Sequence, residues 1–170
     1  DKSPKISDAK KTQYKGEAHF LRGLYYFNLV RLFGDVPWID KQQTASDDLQ
    51  VSRTSKDIVY QHIIDDFSDA ASMLPAVYEN TTDIGRATKG AAFGLLAKVY
   101  LTLKRYNETL VAIDSVTNLG VYSLNRKYEW NFSDLRENGP ESLFEVQYEK
   151  DVTAYSEFDI LGQGGWHHEY

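Results

Sequence analysis

The stretch GEAHFLRGLYYFNLVRLFGDVPWID, Gly16 to Asp40, decides the fold. At helical spacing, Ala18, Leu21, Tyr25, Leu29 and Leu32 form one apolar stripe, and Phe20, Leu24 and Phe27 form a second beside it. A helix apolar on two adjacent faces packs between other elements. The pattern therefore predicts a hub helix from about Lys11 to Phe33 with Leu21 and Leu29 buried. Its end is marked by Gly34, which is expected at positive φ, and by Arg31, a cation suited to the last turn. Pro37 holds Val36 extended and stops the helix from resuming.

Working outward, residues 1–11 are polar and read as a loop or a fraying helix start. Val36 to Arg53 is a long polar connection, a length often kept for function. A second helix starts near Thr54, where Asp57 suggests a capping-box variant, and Pro75 ends it. Val59, Ile63, Phe67, Ala70 and Leu74 form its buried stripe, with the first helix as its mate. A third helix runs from about Thr88 to Lys104, where Gly90 and Gly94 predict close approach of another backbone. A fourth runs from Asn107, a candidate N-cap, to Leu119, with Gly120 as its stop.

Helices three and four carry a tetratricopeptide-like spacing. Phe93, Leu96, Ala97 and Tyr100 follow the order of the first repeat helix, and Thr109, Ile113 and Val116 that of the second. Two such pairs, residues 12–74 and 88–119, make a short helical solenoid. After Gly120 the chain is aromatic-rich and lacks a helical period. Phe144, Val146 and Tyr148 alternate with Glu145 and Gln147, which predicts a half-buried strand over 142–148.

Composition narrows the function classes. The chain has 170 residues, 42% hydrophobic and 14% aromatic, enough for a globular core. Its net charge of -6 and its lack of a Lys/Arg cluster argue against nucleic-acid binding. With no cysteine there is no disulfide framework, thiolate zinc site or cysteine nucleophile. No segment is apolar and long enough to cross a bilayer; the best, Gly90 to Leu103, is broken by Lys98.

The hub stretch also resembles a known family. Glu17, Ala18, Phe20, Leu21, Arg22, Tyr25, Tyr26 and Phe27, then Leu29 to Phe33 and Gly34 to Pro37, follow the central motif of SusD/RagB-like proteins without a gap. The string ESLFEVQY, Glu141 to Tyr148, resembles a second segment of that family. The resemblance thus recurs from residue 16 to about 148. It implies a glycan-binding lipoprotein of the bacterial outer membrane, exposed at the cell surface and not an enzyme. It also implies a TonB-dependent SusC-type transporter as partner, and a signal peptide and lipid-carrying cysteine upstream. Residues 1–10 lack an apolar core for a leader. The expectation is an internal piece of a larger protein, 1–170 being a single partial domain with helical repeats over about 12–119 and an irregular part over about 120–170.

Catalytic signals are poor: there is no GxSxG, HExxH, phosphate loop or dinucleotide fingerprint, and no cofactor is expected. A glycosidase needs two carboxylates across a cleft. Asp65 and Asp66 are adjacent on a helix and read as a solvated face, and Glu141 and Glu145 as surface residues. His19 and His62 lie on the two helices expected to pair and could meet, though satisfied helix-face histidines fit as well. His167 and His168 point to opposite sides of an extended chain, which is poor chelating geometry.

Sugar rings have apolar faces that lie on Trp or Tyr. Aromatics also dominate cores. Tyr25, Tyr26, Phe27, Phe93 and Tyr100 read as core at their helical spacing, and Trp130 as buried among apolar neighbours. The loop tryptophans Trp166, after Gly164 and Gly165, and Trp38, after Pro37, are the ligand-binding candidates. The reading is a mainly α-helical chain with tetratricopeptide-like pairs that captures oligosaccharide and hands it to a transporter. The rivals are a generic tetratricopeptide scaffold for a peptide partner and a glycoside hydrolase fragment.

Overall fold

The structure, a computed structural model, describes residues 5–44 and 50–147. Four helices follow one another: α1 (Asp8–Phe33), α2 (Lys56–Met73), α3 (Lys89–Thr102) and α4 (Tyr106–Asn118). Three short 3-10 turns complete the order, Thr81–Asp83, Tyr128–Phe132 and Asp134–Arg136. α1 packs on α2, α2 on α3 and α3 on α4, the neighbour-to-neighbour stacking of a helical-repeat array.

Most helix boundaries have a local cause; α4 is an exception among the expected caps, starting at Tyr106 after Arg105 with no side-chain cap, so that Asn107 lies within the helix. Ser7 caps α1, its hydroxyl accepting from the Lys10 N–H at 3.3 Å. Gly34 ends the helix at φ 69 and ψ -122, a region open to glycine and closed to a side chain, while its N–H still reaches the Val30 carbonyl. α2 ends where Leu74, held extended by Pro75, leaves helical geometry at ψ 148. Thr88 caps α3 by accepting from the Ala91 N–H at 3.1 Å. Gly120 follows α4 at φ 68.

The start of α2 differs from the sequence expectation. Ser55 is its N-cap residue and makes no side-chain cap; the Lys56 N–H instead donates to Asp35 Oδ1 at 2.8 Å. Thr54 forms an antiparallel bridge with Val36, its N–H donating to the Val36 carbonyl at 2.9 Å. The cap therefore comes from beyond the other end of the long connection, and the same residues that stop α1 start α2.

Phe20, Phe27 and Val30 of α1 are buried against Val59, Ile63, Phe67 and Ala70 of α2, and the core continues through Ala91, Ala92, Leu96 and Val99 of α3. Only one of the two stripes read on α1 faces this core. Leu21 is 44% and Leu29 40% exposed, and Ala18, Tyr25 and Leu32 are exposed with them, so the expected burial of Leu21, Leu29 and Tyr25 is corrected. The reason is layering. α2 and α3 lie on one side of α1, and the described residues place nothing on the other. Ile113 of α4 is also exposed, because among the described residues α4 packs on α3 alone.

Small residues admit side chains rather than backbone. A Cβ on Gly94 would sit 2.6 Å from Leu143 Cδ1, and one on Gly90 would overlap the Tyr122 ring. The backbone approach expected at these glycines is thus replaced by side chains from the segment after α4. Gly23 likewise leaves room for the Phe67 ring, 3.0 Å from where its Cβ would stand. That segment forms no strand over 142–147; its described residues have no strand beside them to pair with. It instead drapes along the helices and sends Phe144 against Phe20, with ring centroids 4.9 Å apart.

Two substitutions separate the faces of α1. Phe20→Ala is expected to lower unfolding free energy by about 3–5 kcal/mol, and Leu21→Ala by under about 1 kcal/mol. Urea denaturation monitored by circular dichroism reads both, and equal losses would place both stripes in the core. Gly34→Val forces a branched side chain into a glycine-only conformation and is expected to cost about 1–3 kcal/mol in the same assay.

Candidate functional site

Two places gather polar and aromatic chemistry. The first is the seam between α1 and α2. The Asp66 carboxylate, 2% exposed, receives Arg22 Nε at 2.8 Å and Arg22 Nη2 at 2.7 Å. His19 Nδ1 lies 2.7 Å from the same carboxylate, so that nitrogen carries the proton. The fork of Arg22 fits a carboxylate in two bonds, and this pairing raises the guanidinium pKa further. Asp66 is therefore the anchor of a buried ionic clamp and not part of a solvated face, whereas Asp65 and Asp69 are exposed. His19 and His62 take different partners. His62 stacks on Trp38, with centroids 4.5 Å apart and planes 17° apart.

Trp38 is half-buried at the edge of this clamp. Tyr26 lies 4.3 Å away at a 43° tilt, and the Arg22 guanidinium 5.0 Å from the indole centroid. Tyr26 also fastens the start of the long connection, its hydroxyl donating to the Pro37 carbonyl at 3.2 Å and accepting from the Ile39 N–H at 2.8 Å. The Trp38 ring is thus held by α1 and α2. Trp166, the other candidate, lies outside the described residues, as do His167 and His168.

The second place is a cavity of about 430 Å³ between the helices and the segment after α4. Leu24 of α1, Leu95 of α3 and Phe144 give it apolar walls, and Trp130, Asn131 and Arg136 line it from the C-terminal segment. The Arg136 guanidinium sits 3.8 Å from the Trp130 centroid. Trp130 is half-buried, where the sequence reading had it buried. Glu141 and Glu145 also line the cavity, and each accepts a backbone N–H, from Asn125 at 2.8 Å and from Asn138 at 2.9 Å. Sequence reasoning missed this cavity because its residues come from three segments with no shared period. The signal available was the crowding of aromatic, amide and acidic residues after Gly120.

A third polar group pins the 75–88 connection. Arg86 Nη1 donates to Glu17 Oε2 at 2.7 Å, and the Tyr78 hydroxyl donates to the Ala87 carbonyl at 2.9 Å. Burial pushes the Tyr78 phenol up, with neighbouring Glu17 adding to the effect. Among the described residues, no group of three or more His, Cys, Asp or Glu is placed to hold a metal ion. No helix among them is long and apolar enough to cross a membrane.

Paired helices in tetratricopeptide-like succession, with a long closed loop after the first and a draped aromatic segment after the last, define an all-α helical-repeat protein. Comparison with known proteins gives its family. The model of a SusD-like family described as "starch-binding associating with outer membrane" matches residues 2–101. The chain belongs to the SusD-like family. It is 32% identical to a SusD-like protein of Bacteroides ovatus over 84% of this chain and 28% of the relative. A SusD-like protein of Formosa agariphila is 26% identical over 97% of this chain and 31% of the relative. Among solved structures, a SusD-like protein of Bacteroides fragilis superposes with a TM-score of 0.79 at 36% identity, covering 86% of this chain and 29% of that one. A laminarin-binding SusD-like protein gives 0.74 at 28% identity over 82% and 32%. The chain spans less than a third of the length of the two curated relatives.

The clamp makes a stability prediction. Arg22→Ala leaves the Asp66 carboxylate buried with only His19, and is expected to cost about 2–4 kcal/mol, below the loss for a fully buried pair because Arg22 is partly solvated. Arg22→Lys should recover little of it, since one ammonium cannot reproduce the two-bond fork. Chemical denaturation of the three proteins checks this; a lysine variant as stable as the parent would show that charge alone suffices.

Proposed function

We propose that this chain forms the helical scaffold of a non-catalytic, surface-exposed glycan-binding lipoprotein. Such a protein would hold oligosaccharide or polysaccharide at the outer membrane and pass it to a TonB-dependent SusC-type transporter. Membership of the SusD-like family, over a match that takes in both α1 and α2, carries the reading. The laminarin-binding structure and a surface glycan-binding protein of Bacteroides fluxus, with a TM-score of 0.73 at 25% identity, support carbohydrate as the ligand class. The lipid anchor would lie outside this chain, and the helical repeats would be the scaffold that contacts the transporter.

The chemistry of the described side chains favours binding over hydrolysis. A glycosidase needs one carboxyl group free to donate a proton and another free to attack or to activate water. Asp66 is occupied by three donors from Arg22 and His19, and Glu141 and Glu145 each hold a backbone amide. Asp66 is thereby spent on structure, and Glu141 and Glu145 are each oriented by the backbone amide they accept.

The test is affinity electrophoresis of the full-length protein through gels containing soluble starch or laminarin, followed by incubation with the retarding polysaccharide. Retardation without release of reducing ends is expected; release would establish a hydrolase. Trp38→Ala and Trp166→Ala, run in the same gels, test the loop tryptophans as stacking rings. A true platform loses retardation while keeping its melting temperature. Loss of both would assign the ring to packing, the fate its contacts with Tyr26 and His62 favour for Trp38.

A further inference from the structure

We infer that the cavity bounded by Trp130, Arg136 and Glu141 is a subsite for one or two residues of a neutral oligosaccharide. The inference rests on the glycan-binding reading above and assigns to it a place and a charge preference. Its volume of about 430 Å³ falls in the range of small-molecule sites, about 300–1,000 Å³. Its walls are divided as a sugar is divided. Leu24, Leu95 and Phe144 offer apolar surface to the C–H face of a pyranose. Trp130 adds an indole, one face of which is covered by the Arg136 guanidinium 3.8 Å from its centroid, leaving the rest of the ring to line the cavity.

The opposite wall supplies hydroxyl partners of both kinds. Asn131 accepts from the Asn125 side-chain amide through Oδ1 and keeps its own NH2 to donate, Arg136 donates, and the carboxylates accept. Glu141 accepts the Asn125 N–H through Oε2, and Glu145 the Asn138 N–H through Oε2. Each carboxylate is thereby oriented, and its other oxygen remains to accept from a hydroxyl. Two carboxylates against one guanidinium give the lining a net negative charge. A uronic acid or sulfated sugar would meet like charge there, whereas a neutral sugar loses nothing. A purely apolar ligand is disfavoured because it would strip water from these polar groups without replacing their bonds. The backbone permits the cavity's shape: Gly94, with no Cβ, lets Leu143 seat close to α3 and form part of the wall.

The test uses the full-length protein and isothermal titration calorimetry. The probes are two neutral polysaccharides, soluble starch and laminarin, and two acidic ones, alginate and polygalacturonate. A polysaccharide array supplies the probe if neither neutral one binds. Trp130→Ala is expected to weaken neutral-glycan binding at least about tenfold, with Trp130→Phe recovering part of the loss. Asn131→Ala, at an exposed position in the Tyr128–Phe132 turn, is expected to weaken binding several-fold with a nearly unchanged melting temperature. Wild-type affinity in both Trp130→Ala and Asn131→Ala overturns the subsite and leaves the glycan reading standing. A Trp130→Ala protein that melts early, beside an Asn131→Ala protein of unchanged affinity, assigns the ring to packing and also overturns it. Binding confined to acidic polysaccharides overturns the charge preference on which it rests. No binding to any polysaccharide of the array refutes the glycan function itself.

Discussion

Phe20 has no exposed surface, and two other segments meet on its ring. Phe67 of α2 stands 5.9 Å away edge-on, and Phe144 of the draped segment 4.9 Å away. Phe20 belongs to the first motif that resembles the SusD family, and Phe144 to the second. Their contact joins the start of the helical array to its far end, across well over a hundred residues of chain. A ring so placed serves both the pairing of α1 with α2 and the closure of the C-terminal segment, and neither depends on α4. Burying an aromatic side chain yields a few kcal/mol, comparable to the whole margin by which small domains stay folded.

The rest of the first motif is arranged around that ring, one task to each side chain. Glu17 ties the 75–88 connection through Arg86, and Arg22 clamps Asp66. Tyr26 fastens Pro37 and Ile39, while Gly23, outside the motif, clears space for Phe67. Gly34 ends the helix, Asp35 caps the next one, and Val36 closes the loop on Thr54. The motif therefore reads as a fold signature: its polar residues are spent on connections between elements.

The helices, their stops and the buried stripe of α2 were legible because each is a local pattern: periodicity, a proline, or a glycine at positive φ. The errors share a different origin. Leu21, Leu29 and Tyr25 carry the periodicity of core residues, yet burial depends on whether a second layer exists on that side, which spacing cannot report. Asp66 has the local signature of a surface acid beside Asp65; its burial follows from Arg22, which is distant in sequence. Thr54 and Asp57 matched a local cap, while the actual cap, Asp35, is also distant in sequence. The segment 142–147 alternates as a strand does, but a strand needs a neighbour, and among the described residues its neighbours are helices.

The candidate sites were less legible than the fold for the same physical reason. Trp38 could be singled out from the loop it opens, but its partners His62 and Tyr26 appear only once α1 and α2 are laid together. The Trp130 cavity is assembled from α1, α3 and the draped segment, and its polar wall depends on two carboxylates turned by backbone amides. In this chain the helices fix positions, and the Trp130 cavity takes its polar lining from the irregular segment after α4. Positioning follows from periodicity and can be read along the chain, whereas the chemistry depends on which connections the helices bring together.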